Sequence, residues 1–392
     1  MTMKIKKLLL AGGVILTALL SACSGNGGLT ASGLNPAKFD TTINKKPVKL
    51  YVLKNNNKME VCVTNFGGRI VSISVPNKDG VPTDVVLGYD NIAQYADSVN
   101  SPSDFGAAIG RYANRIKNGQ ITIGGKKIQL PRNNYGHCLH GGFSGWQYQV
   151  YDATQPNDST LKLVMHSPDG DNNFPGNVTA TVTYTVKSDN TLDITFEATT
   201  DKETVINMTN HSYFNLSGDP SKPGTNMVLY INADNYTPSD ATFMTTGEIK
   251  PVYGTPMDFT KRHALYQTIA DTTFQQIKNA RGYDHNWCLN TYKDGKGDDT
   301  KVAASLFSPE SGIQVDVYTN EPGIQVYTGN FLGSNKNVKG KRGIFYPCQA
   351  SVCLETQKYP NSPNNKQWPS PYLKPGEKYF SHVAYKFSAK GQ

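Results

Sequence analysis

The chain has 392 residues, with 39 Lys and Arg against 31 Asp and Glu, a formal net charge of +8. Lys4, Lys6 and Lys7 sit in the first seven residues, so the excess from Cys23 onward falls to about +5, spread thinly and with no basic block. This composition gives no support to nucleic-acid binding, and six cysteines in so long a chain are no disulfide framework.

The N-terminus reads as a targeting segment. A basic start is followed by an apolar stretch from Leu8 to Leu20, too short to cross a bilayer comfortably, and then by small residues. Leu20-Ser21-Ala22-Cys23 resembles the bacterial lipobox, which makes residues 1–22 a signal peptide and Cys23 the lipidated first residue of the mature chain. Ser24 to Gly28 has the composition of a tether, and residues 23–35 are expected to be flexible. The protein is therefore expected in the bacterial cell envelope, lipid-anchored at the outer membrane and facing the periplasm. Cys62, Cys138, Cys288, Cys348 and Cys353 are expected to be buried free thiols.

From residue 36 to 392 there is no repeat, low-complexity break or change of composition, and one large domain is expected. Val71, Ile73 and Val75 begin a pattern of alternation. The pattern is clearest over 178–186, where Val178, Ala180, Val182, Tyr184 and Val186 alternate with four threonines. Leu192, Ile194 and Phe196 repeat it, and Ser188-Asp189-Asn190 supplies the hairpin turn between the runs. Ile313, Val315 and Val317 form a further strand, while His263 to Ile277 has room for one or two short helices. Many strands and few helices predict an all-β fold of stacked antiparallel sheets. Some of the 22 tyrosines are available to line a sugar cleft, although most such rings are core.

Five polar segments carry the chemistry. In Thr209 to Leu216, His211 is flanked by Asn210, Ser212, Tyr213 and Asn215, which are expected to fix its tautomer and ring angle. His140 precedes Gly141 and Gly142, which let a ligand approach closely. The neighbouring His137 and Cys138 invite a zinc reading, but no CxxC or HExxH pattern accompanies them, and no metal is expected. Glu355 follows the apolar run Val352-Cys353-Leu354 and is a candidate general base, with Lys358 as an available ion-pair partner. Asp284 can accept two sugar hydroxyls, and Asn114-Arg115 adds a fork that can hold hydroxyl or ring oxygens. Two histidines and two carboxylates suit proton transfer on a hydroxylated substrate.

Six segments in order, GRYANRIKNGQ, LHGG with Gly145-Trp146, TNHSYFNLSG, GYDHN, EPGIQVYTGNFL and CLETQKYPNSPN, span about residues 105 to 365 and resemble the aldose 1-epimerase family. The resemblance implies a large antiparallel β-sandwich, the galactose mutarotase-like supersandwich. It also implies interconversion of the α and β anomers of free monosaccharides such as galactose or glucose, without a cofactor. It makes Glu355 the general base and His211 the general acid, with Asn114, Arg115, His140 and Asp284 holding the sugar. Glu321 stands before Pro322-Gly323 where the family often has Gln, and it is expected to contact a sugar hydroxyl. The competing readings are a non-catalytic carbohydrate-binding lipoprotein and glycoside cleavage by Asp284 and Glu355 as paired carboxylates. Epimerisation of hexose 6-phosphates would call for a cluster of cations, and none stands out.

Overall fold

Alternation converts directly into sheet. Val178–Val186 and Thr191–Thr200 form an antiparallel hairpin in which Val182 faces Phe196 and Tyr184 faces Ile194, with the apolar members buried. The computed structural model describes residues 28–101 and 103–390, so the expected signal peptide and Cys23 lie outside the described residues. The hairpin belongs to a nine-stranded antiparallel sheet. It runs Asp152–Asn157, Thr160–Ser167, Val178–Val186, Thr191–Thr200, Tyr379–Ala389, Ile313–Thr319, Ala304–Phe307, Val228–Ile231 and His263–Ala264. A six-stranded sheet runs Tyr213–Phe214, Val352–Gln357, Gly323–Tyr327, Asp284–Cys288, Asn235–Thr237 and Lys250–Pro251. A four-stranded sheet is built from residues 50–84.

The two larger sheets share one core. Trp287, Ile324, Val326, Val352 and Leu354 point from the six-stranded sheet into the same apolar cluster as Val383, Tyr385 and Phe387 of the nine-stranded sheet. The Tyr385 hydroxyl donates to the Leu354 carbonyl at 3.0 Å across this interface. Because strand side chains alternate, the residues in between, Asp284, Gln325, Tyr327, Cys353 and Glu355, project from the opposite face. There Gln325 lies beside Glu355, and Tyr327 lies between Asp284 and Cys353. The sandwich core thus fixes which side chains can form a site on the outer face.

Two expectations are corrected. Within the tether predicted over 23–35, residues 30–34 are ordered and not flexible: they close a turn, Ser32 meets Ser72 at 2.8 Å, and Leu34 is buried beside Phe39. Burying Leu34 holds this stretch onto the four-stranded sheet. The five cysteines are free thiols, but Cys348 is exposed and Cys288 half-buried, since both sit at strand or loop ends and not in strand centres. The short helices expected near 263–277 are present, as a 3₁₀ turn, Leu265–Gln267, and a short helix, Gln275–Ala280, closed by Arg281 in the left-handed region. His263 itself is in a strand.

Candidate active site

Glu355 and His211 are brought together by two different pairings. Glu355 lies on the outer face of Val352–Gln357, and His211 ends the short strand Thr209–His211, which pairs with Ala107–Ile109. The His211 Nε2 is 3.5 Å from the Glu355 Oε1, and both side chains are at least 95 % buried. The asparagines and serine around His211 brace backbone, not the ring. Asn210 donates to the Gly106 carbonyl at 2.9 Å and accepts from Ser212, and Asn215 donates to the Ala350 carbonyl at 2.7 Å. The ring angle is set by aromatic packing instead. Tyr213 stacks on it at 5.0 Å and 16°, and His140 meets it edge-on at 5.3 Å.

His140 adopts φ 49, and the chain can turn there only because Gly141 follows. A Cβ on Gly141 would lie 2.2 Å from the Gly110 carbonyl oxygen. The backbone N–H of Asn114 donates to His140 Nδ1 at 3.1 Å. That bond leaves the proton of the neutral ring on Nε2, and burial pushes the imidazole down to about 3, so His140 is a neutral donor. Arg115 is held by Asn134 through Nε at 3.1 Å and lies over the Phe243 ring at 5.0 Å, which leaves its terminal N–H groups available to the cleft. Asp284 accepts from Gln325 Nε2 at 2.7 Å through one oxygen, so its second oxygen is available to a ligand.

These residues line one cleft of about 260 Å³, together with Asp104, Tyr213, Tyr327 and Phe243. Of the residues expected from sequence, Asn114, Arg115, His140, His211, Asp284 and Glu355 converge there. Glu321 does not. It is buried elsewhere, ion-paired with Lys358 at 3.1 Å in a separate depression bordered by Tyr292 and Pro322. Lys358 lies in a bend just past the end of the strand that carries Glu355, and reaches Glu321 and not the cleft. The glutamine that serves the cleft is Gln325, four residues further on. Sequence reasoning passed over Gln325 because it sits in an ordinary alternating strand, and over Asp104 because Ser103-Asp104-Phe105 carries no turn or histidine signature.

Burial dominates the electrostatics. It raises the Glu355 carboxyl well above its ordinary value, helped by the charges of Asp284 and Asp104 and opposed by Arg115. It lowers His211, against the opposing pull of Asp104. Two triads have ligand atoms within 4.8 Å of one another, Asp104 with His140 and His211, and His211 with Cys353 and Glu355. Both triads include His211.

Comparison with known proteins points the same way. The model of the family described as aldose 1-epimerase matches residues 49–386. The aldose 1-epimerase of Escherichia coli K12 is 38% identical over 349 residues, covering 88% of this chain and 96% of that protein. The galactose mutarotase of Mus musculus is 38% identical over 333 residues, covering 85% and 92%. Among solved structures, an aldose epimerase homologue from C. elegans superposes with a TM-score of 0.78 at 28% identity, covering 87% of this chain and 99% of its own. A galactose 1-epimerase from Lactobacillus acidophilus does so with 0.75 at 28%, covering 90% and 97%. With the sandwich, the cleft and these matches all in hand, the chain belongs to the aldose 1-epimerase family.

Proposed function

We propose that Glu355 and His211 exchange the anomers of a free aldose by opening and reclosing its ring. The chain is an aldose 1-epimerase, an isomerase; the observation that supports this division of labour is the 3.5 Å approach of His211 Nε2 to Glu355 Oε1, both side chains buried. Glu355 takes the proton from the C1 hydroxyl, the C1–O5 bond breaks with its electron pair going to O5, and His211 delivers a proton to O5. The product is the open-chain aldehyde, with the proton transferred from His211 to the ring oxygen and one gained by Glu355. Rotation about C1–C2 presents the other carbonyl face. Reclosure returns the Glu355 proton to O1 and the O5 proton to His211. Arg115, the neutral Nε2–H of His140, Asn114 and Asp284 hold the remaining hydroxyls while the ring is open.

Carboxylate with imidazolium and carboxyl with neutral imidazole contain the same number of protons. Burial favours the second arrangement, and hydrogen bonds from sugar hydroxyls together with the Arg115 charge favour the first, so substrate draws the shared proton from Glu355 to His211. Activity requires one proton on the pair. A second proton, taken by His211, abolishes the base. Because burial lowers His211, the acid limb of kcat/KM should lie below the ordinary imidazole value of about 6.5. The alkaline limb reports loss of the last proton and should lie above the ordinary carboxylate value of about 4.3. Polarimetry of fresh α-D-galactose and α-D-glucose across pH tests both. Relaxation no faster than in buffer would favour a binding protein, and an acid limb above 6.5 would remove His211 from its role.

We further propose the lipid-anchored form, supported by the small residues before Cys23 and the Gly-rich stretch after it. Among the described residues no helix is long and apolar enough to cross a membrane. Anchoring at the periplasmic face of the outer membrane would put the enzyme where sugars are released by glycan breakdown. Cys23→Ser should move the protein from the membrane fraction to the supernatant and abolish incorporation of labelled fatty acid. A variant that stays in the membrane fraction would refute the anchor.

A further inference from the structure

Beside the catalytic cleft lies a second chamber of about 520 Å³, twice the cleft's volume, in which neither residue of the proton-transfer pair stands. The two compartments meet along Asp104, Tyr213, Tyr327 and Phe331, each of which lines both. Tyr213 is also the ring on which His211 stacks, so the chamber and the proton donor share a wall.

The chamber's surface suits a sugar. Its aromatic walls include Tyr89, Tyr148 and Tyr346, and its rim carries the amides of Asn100 and Asn335. The Tyr346 hydroxyl is already committed, donating to the Gly88 carbonyl and accepting from the Lys341 N–H, both at 2.9 Å, so this ring offers its carbon surface and not its hydroxyl. Phe105 clamps the group edge-on, 5.2 Å from Tyr89, 4.8 Å from Tyr213 and 5.9 Å from Tyr346. Rings held in this way form a preorganised platform for the C–H faces of a pyranose, with the Asp104 carboxylate to bind hydroxyls beside the Asn100 and Asn335 amides, which keep spare donor and acceptor capacity beyond their bonds to Asp97, the Asn100 carbonyl and the Asn337 N–H.

The chemistry restricts what can occupy such an extension. Ring opening needs a free C1 hydroxyl, so anything reaching from the cleft into the chamber must be joined to the reacting sugar through a different oxygen. We infer that the chamber holds the second sugar of a reducing oligosaccharide, and that the preferred substrate is the reducing end of such a chain and not the free monosaccharide. This inference rests on the mutarotase reading and adds a substrate class to it. Contacts made by the second sugar are remote from C1 and serve to hold the reacting ring in place through opening and reclosure.

The test compares fresh α-D-glucose with freshly dissolved α-lactose, maltose and isomaltose, each of which has glucose at its reducing end. With the wild-type enzyme, at least one disaccharide should show a kcat/KM about tenfold or more above glucose, since remote binding energy is expressed in kcat/KM. Val338→Trp, which fills the chamber from its wall, should remove that advantage and leave the glucose value unchanged. Asn335→Trp, at an exposed rim position, provides the same readout should the first variant fold poorly. Glucose relaxed as fast as every disaccharide, or both substrate classes affected alike by the filling variants, would overturn the inference while leaving the mutarotase reading intact. No acceleration with any sugar, glucose included, would overturn both.

Discussion

Glu355→Gln should reduce mutarotation by roughly 10² to 10⁴-fold, the usual contribution of a positioned proton-transfer group, and should not destabilise the protein. Glutamine keeps the shape of the side chain and removes the ionisable oxygen 3.5 Å from His211. The stability half of the prediction follows from linkage. Burial raises the folded-state pKa of Glu355 above its unfolded value, so the folded chain holds a proton that the unfolded chain releases. The stability tied to that proton is fully present below about pH 4, near the unfolded value, and is lost as pH rises through the folded value. At neutral pH the wild type carries this penalty and the glutamine variant does not. The variant should therefore melt at or above the wild-type temperature at pH 7.5, with the difference closing as pH falls toward about 4. Activity within tenfold of wild type would remove Glu355 from catalysis. A clearly lower melting temperature at pH 7.5 would make its carboxylate a structural acceptor.

Arg69→Met should give the largest loss of stability, about 3–5 kcal/mol by equilibrium urea unfolding. Arg69 is fully buried, yet among the described residues it has no carboxylate partner. Its charge is balanced by carbonyls. It donates to Gln147 O at 3.2 and 2.9 Å, to Phe105 O at 3.1 Å and to Ser103 O at 3.1 Å. The guanidinium also lies over the rings of Tyr95 at 5.3 Å and Tyr148 at 5.6 Å. Methionine fills much of the volume but strands three buried carbonyls. Two of them flank Asp104, the carboxylate at the junction of cleft and chamber, so KM should rise along with the loss of stability. A destabilisation below about 1 kcal/mol would mean that these carbonyls find other partners.

The two predictions differ in how far the sequence anticipates them. Glu355 is recognisable because it follows an apolar run and precedes a polar, proline-bounded segment, and because five other segments in the same order resemble one family. Arg69 stands among alternating residues of an ordinary strand, and nothing near it in sequence announces that it pins the loop around Asp104. The same contrast holds for Gln325 against Asp284. Asp284 lies in a Gly-Tyr-Asp-His-Asn turn, whereas Gln325 comes to hold Asp284 only through its place beside Glu355 in the sheet.

By itself the sequence determined whatever depends on period or local composition. The alternation over 178–186 and 192–196 dictates a hairpin with one buried face, because strand side chains point to opposite sides every residue. The two glycines after His140 mark a tight turn, because both take positive φ that other residues rarely adopt. Tertiary structure alone decided the direction of each polar side chain relative to the cleft. Glu321 and Gln325 are four residues apart in one segment, yet the first is tied to Lys358 and the second to Asp284. It also decided the protonation of the pair, since Glu355 is raised and His211 lowered by burial that several distant strands create together. Charge energetics depend on the surrounding medium, and in this protein the medium is assembled by contacts between segments far apart in the chain.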